Sequence, residues 1–156
     1  MTLYAIRPHG PDADPDSEEE VVNKLKRGWD YLDQAIALWR LVNESRADEI
    51  EAIKDRAALA DPDGHPRFEL ANIAELVRLL TGFEEALVDA GIVDARWSSP
   101  LGQVKELAPR IPGIDVRPER TQRELEQVLA EVMANVSWVR DFLAEAKEKG
   151  CFVELS

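Results

Sequence analysis

Residues 39–50 read WRLVNESRADEI and lie at the centre of the longest apolar pattern in the chain. They continue an apolar seam that advances in alternating steps of four and three: Leu25, Trp29, Leu32, Ile36, Trp39. In the same register the seam meets Asn43 and Arg46, then resumes as Ile50, Ile53 and Ala57. A sustained heptad of this kind predicts a long amphipathic helix with coiled-coil-like packing. Taken as continuous, it runs from about Ser17 to about Ala60, roughly 60 Å at the helical rise. Gly28 is a weak point inside it. The polar pair has three readings: the helix kinks or turns its face there, with Val42 taking the apolar contact; the pair fixes register or a dimer; or it marks a ligand site. The simplest is the kink.

Working outward, Ser17 and Glu20 have capping-box spacing, and Glu18, Glu19 and Glu20 suit the positive end of a helix dipole. Residues 7–16 carry Pro8, Gly10, Pro11 and Pro15 and predict a loop. The apolar run at residues 3–6 predicts a strand. Downstream, Asp61 to Pro66 is a turn. A second helix follows from about Phe68 to Ala90, with the seam Ile73, Leu76, Leu80, Phe83, Leu87, Ala90 and Gly91 as its C′ residue. Residues 91–118 are irregular, apart from a short helix near 100–108 opened by Ser99-Pro100. The last helix spans about Glu119 to Lys149. Thr121 and Glu124 are spaced for a capping box, and the seam is Leu125, Leu129, Val132, Val136, Val139, Leu143, Ala146. Gly150 ends it, and CFVEL predicts a terminal strand. The expected fold is mainly all-α. It is a single domain, residues 1–156, built as an antiparallel bundle of three long helices crossing near 20°. The first of these helices is very long. Short terminal strands can pair with each other.

The chain has 156 residues and a formal net charge of −12. That balance disfavours nucleic acid and anionic lipid as partners, because both are bound through Lys and Arg. It permits a basic protein partner, metal binding or simple solubility. A single cysteine, Cys151, cannot form an internal disulfide, no apolar run is long enough for a bilayer, and a cytoplasmic setting is the expectation.

Sequence motifs for chemistry are sparse. His9 and His65 have no partner at metal-ligand spacing. Cys151 reads as a buried structural thiol. Asp12, Asp14 and Asp16 have the D-x-D-x-D spacing of a calcium loop, but Ser17 stands where glycine is required and Asn23 where the bidentate Glu is required. Phosphate loops, G-x-S-x-G, H-E-x-x-H and paired C-x-x-C are absent, so no catalytic residue, metal or cofactor is expected. The alternative is a Mg²⁺-dependent all-α hydrolase built on Asp30, Asp33, Glu84 and Glu85, with Asp89 nearby. These carboxylates faintly resemble the EExxE and ExxD signature of the all-α nucleoside triphosphate pyrophosphohydrolases. Val88 stands where the third carboxylate of the first motif belongs, and no ExxD follows, so the family is not assigned.

Two surfaces are candidates for binding. One is the acidic tract Asp12, Asp14, Asp16, Glu18, Glu19 and Glu20. The other is Arg96-Trp97, within the slightly positive 91–118 segment; exposed Trp and Arg are favoured anchors. Trp29, Trp39 and Trp138 fall on or beside seams and read as core. The expected function is a protein-binding module that neutralises or adapts a basic partner, such as a toxin or effector. In general type, though not in motif, this resembles a bacterial immunity protein or antitoxin. A further alternative is a structural or adaptor protein that forms a homodimer through its long first helix.

Overall fold

The computed structural model describes residues 2–6, 24–59, 66–93, 110 and 121–155. These residues are mostly helical. In chain order they form β1 (Leu3–Ile6), α1 (Gly28–Val42), α2 (Glu44–Leu59), β2 (Arg67–Phe68), α3 (Leu70–Leu80), α4 (Phe83–Asp89), α5 (Gln122–Glu148) and β3 (Phe152–Leu155).

The very long first helix is not present. Asn43 breaks it with an extended backbone, φ −154° and ψ 90°. Its N–H still closes α1 on the Trp39 carbonyl at 2.6 Å, and its own carbonyl already accepts from Ala47 at 3.2 Å. Its side-chain Oδ1 accepts the Arg46 N–H at 3.1 Å. This one residue is therefore the C-cap of one helix and the N-cap of the next, a role suited to Asn because its short amide replaces a lost backbone partner. The chain reverses there. Lys54 pairs with Asp33, and Arg40 reaches Asp48 at 2.9 Å and Glu51 at 2.8 Å. A straight helix would hold residues 33 and 54 about 30 Å apart. The helices α1 and α2 are thus an antiparallel hairpin with a one-residue joint. The start also differs. Leu25 bridges Leu3 in both directions, at 2.9 and 3.0 Å, and helix begins only at Gly28.

The second predicted helix is also divided. Thr81 caps α3, its N–H bonding the Val77 carbonyl at 3.1 Å, and Gly82 turns the chain at φ +88° before α4. Glycine adopts that left-handed angle without the steric penalty of a side chain. At its end α4 closes as its Gly91 suggests: Gly91 N–H meets the Val88 carbonyl and Ile92 N–H the Leu87 carbonyl, both at 3.0 Å. The last helix agrees closely with the sequence. Thr121 and Glu124 form the reciprocal capping box at 3.2 and 3.1 Å.

The strand at residues 3–6 does pair with the one at 152–155. They run antiparallel, Leu3 opposite Leu155 and Ile6 opposite Phe152. The short strand β2 adds to the other side of β3, giving the order β1-β3-β2. The inward face of this sheet carries Leu3, Ala5, Phe68, Val153 and Leu155, all buried. It closes one end of the helical layer. Contact there is tight: a Cβ on Gly28 would lie 2.5 Å from Leu3 Cγ. Helix α5 packs on both α1 and α3, and its whole predicted seam is buried. Buried Cys151 sits between α5 and β3.

Three sequence candidates lie outside the described residues: the acidic tract Asp12, Asp14, Asp16, Glu18, Glu19 and Glu20; the Arg96-Trp97 pair; and the short helix near 100–108. So do the Ser17–Glu20 capping box and both histidines.

Candidate functional site

The joint at Asn43 explains why Arg46 interrupts the seam. Being three residues into α2, its side chain lies across the buried Trp39 ring, with the guanidinium carbon 4.4 Å from the ring centre. From there Nε donates to the Leu79 carbonyl and Nη2 to the Arg78 carbonyl, each at 2.8 Å. These are carbonyls of the last turn of α3, which have no partner within the helix and carry the negative end of its dipole. Arg46 is thus a side-chain cap that ties the hairpin to α3. The polar pair marks a joint and a clamp: the expected kink within one helix is instead a full reversal between two, and the long straight helix of the dimer reading is not formed.

Beside this joint is a cavity of about 490 Å³, with Trp39, Asn43, Arg46, Gly82, Glu85 and Asp89 among its lining residues. Trp39 Nε1 is buried without a hydrogen-bond partner, alone in this among the described residues. A second cavity, of about 270 Å³, lies along the hairpin between Asp33, Arg40, Glu51 and Arg110. Asp33, Arg40 and Glu51 are already in ion pairs. Arg40 gathers Glu44, Asp48 and Glu51 around one guanidinium. The Asp48 hydrogen bond is the main cause that raises its pKa further above the ordinary arginine value.

The carboxylates considered for Mg²⁺ are not brought together. Asp30 pairs with Arg27 at 3.3 Å, Asp33 with Lys54, and Glu84 with Arg140. Glu85 lines the cavity at the joint. Among the described residues, no cluster of three His, Cys, Asp or Glu side chains is arranged to hold a metal ion. Lys54 is 7% exposed and reaches Asp33 while its ammonium sits 4.2 Å from the Trp29 ring centre. The pair is a strut of the hairpin, its lysine buried and its carboxylate partly exposed.

One aromatic departs from the sequence reading. Trp138 is 56% exposed on α5, although it adjoins the seam residue Val139. A helix turns 100° per residue, so the residue beside a seam position can face solvent. Tyr31 of α1 stands next to it, with ring centres 6.5 Å apart and planes tilted by 54°. Just behind, Asn135 Nδ2 donates to Gln34 Oε1 at 3.1 Å and clasps α5 to α1. Glu131, Asp141 and Glu145 are exposed at helical positions −7, +3 and +7 from Trp138. An exposed large aromatic framed by acids is a surface that can receive a cation-bearing partner. The sequence did hold a signal for it: seam positions 136 and 139 place residue 138 at the edge of the apolar stripe, with glutamates one heptad away on either side.

No helix among the described residues is long and apolar enough to cross a membrane. In comparisons with known proteins, the chain matches no family model, no curated protein and no solved structure.

Proposed function

We propose that the protein is a protein-binding module whose partner is a basic protein, which it neutralises or adapts. The observation that carries this reading is how the chain disposes of its charge. Net charge is −12. Many of the described cations are already held by the chain's own carboxylates: Arg40, Lys54, Arg67, Arg78 and Arg140 each sit in an ion pair. Glu85, Asp89 and Glu131 have no ion pair among the described residues. These three acids are exposed, and in this reading they and the net negative charge steer a basic protein into encounter and accelerate association. The acidic tract from Asp12 to Glu20 and the Arg96-Trp97 pair belong to the same proposal as contact residues.

The test is partner capture followed by reconstitution. The immobilised protein is exposed to lysate of its source organism and eluted with rising salt. A stoichiometric basic protein is expected, and the purified pair should lose affinity as salt rises. Reversing charge across Asp12, Asp14 and Asp16 should weaken it further. Recovery of nothing but the chain itself, or an affinity indifferent to salt, would remove the reading.

A further inference from the structure

We propose that the α1–α5 face centred on Trp138 is a further contact surface for the basic partner, in addition to the acidic tract, and that its occupant is an arginine-bearing segment of that partner, whose guanidinium stacks on the Trp138 ring. This rests on the reading of the protein as a binder of a basic protein.

The chain's own aromatics supply the argument. Trp39 is covered by the Arg46 guanidinium at 4.4 Å, and Trp29 by the Lys54 ammonium at 4.2 Å. Phe83 carries Arg140 at 5.4 Å, and Phe152 carries Arg67 at 5.1 Å. Trp138 alone among the described tryptophans has no cation of the described residues over it, and it is 56% exposed. A cation above an indole face is attracted by the ring quadrupole, and indole is the best of the aromatic hosts.

The surroundings select the charge and shape of what lands there. Glu131, Trp138 and Glu145 follow one another at seven-residue spacing and so lie along one stripe of α5, with Asp141 beside them. Asp141 is engaged by Arg140 at 3.2 Å and Glu145 by Lys149 at 2.7 Å; both carboxylates are exposed, so a stronger ligand can compete for them. Glu131 has no ion pair among the described residues. On the other flank the Tyr31 ring forms a wall, and Arg27, the cation nearest in sequence to it, is held by Asp30. The result is an aromatic floor with an acidic rim. A planar guanidinium can stack on the floor and still direct N–H groups to the rim carboxylates; an ammonium has no plane to stack. The Asn135–Gln34 hydrogen bond fixes α5 against α1 beneath the surface, so the floor is already in place before a partner arrives.

The experiment uses the whole chain, with hexa-arginine and hexa-lysine peptides as probes, at low salt. Indole N–H resonances are assigned by single Trp→Phe replacements and followed by nuclear magnetic resonance. The expected result is a saturable shift of the Trp138 indole with hexa-arginine and weaker binding of hexa-lysine. Trp138→Ala should weaken hexa-arginine at least tenfold while keeping the wild-type melting temperature, and Trp138→Phe should fall between. Salt-sensitive binding that moves other resonances and survives Trp138→Ala would overturn this surface and leave the basic-partner reading standing. Equal binding of the two peptides would overturn the arginine assignment. Binding of neither peptide would count against both proposals. Concentration-dependent self-association abolished by Trp138→Ala would replace the proposed occupant with a second copy of the chain.

Discussion

Arg46 and Trp39 are stacked, guanidinium over indole at 4.4 Å, and the same guanidinium holds two carbonyls at the end of α3. One side chain thus joins three helices. A hydrogen bond from a charged group contributes about 1.5–3 kcal/mol and a cation on an aromatic face about 0.5–2 kcal/mol, but one of these bonds is exposed and the other partly so, and water replaces part of what they supply. Arg46→Ala is expected to lower unfolding stability by about 2–3 kcal/mol, read from urea denaturation. Arg46→Lys should recover little, because an ammonium lacks the planar fork that reaches both carbonyls.

Asn43 carries the reversal between α1 and α2. Asn43→Ala removes the N-cap of α2 and should cost about 1 kcal/mol, while Asn43→Asp should be nearly neutral. Asn43→Leu combined with Arg46→Leu is expected to destabilise the monomer without producing a defined dimer. Sedimentation of that double variant as a discrete, more stable dimer would contradict the hairpin assignment.

Gly28 has room for no side chain. With a Cβ placed 2.5 Å from Leu3 Cγ, Gly28→Ala must push β1 away from α1 or shift the buried Leu3. Overpacking of this kind typically costs about 1–3 kcal/mol. Hydrogen exchange should localise the loss to β1 and its pairing with β3, while the Asn43 joint keeps its protection.

The Glu84–Arg140 pair joins α4 to α5 with a carboxylate that is only 9% exposed. Burial lowers the Arg140 pKa, but the Glu84 hydrogen bond and charge more than offset this, so the net shift is upward and the guanidinium stays charged. Arg140→Met would strand Glu84, and losing one partner of such a pair costs about 3–5 kcal/mol. Glu84→Leu combined with Arg140→Met should restore much of the loss. A double variant as unstable as the single one would assign the cost to packing.

Acid titration has a definite sign at Glu75. The hydrogen bond from Arg78 holds its carboxyl below the usual carboxylate range, against a smaller opposing effect of desolvation. A depressed folded-state pKa gives stability that is present above the ordinary carboxylate pKa. It is lost as pH falls through the depressed one. The pair is exposed, so its energetic share is small. The clean measurement is a carbon-detected titration of Glu75. Its midpoint should rise toward the ordinary glutamate value in Arg78→Met.

The core was legible in the sequence; the joints were not. Ile36, Trp39, Ile50 and Ile53 are buried as the heptad requires, and so are Ile73, Leu76, Leu80, Phe83 and Leu87. The seam continues through Asn43 because both arms of the hairpin face the same core, so a reversal leaves the apolar spacing undisturbed. Asn43 also makes the break without proline or glycine, and the sequence offers only two polar residues as a clue. At Gly82 a glycine was present but sat between two apolar turns. The two-residue strand Arg67–Phe68 is too short for alternation to register. Trp138 adjoins the seam, but its 100° rotation from Val139 carries the ring out of the core to the surface.

The strand order has a consequence for synthesis. The central strand β3 is made after both of its neighbours: β1 pairs with it along one edge and β2 along the other. The hairpin α1–α2 uses contacts close in sequence and can form early. The sheet must wait for residues 152–155 to emerge. Until then the edges of β1 and β2 have no strand partner, and the buried faces of Leu3 and Phe68 lack Val153 to close over them. The nascent chain therefore has a helical scaffold whose last strand acts as a keystone, and deletion of Phe152–Leu155 should release both neighbours at once.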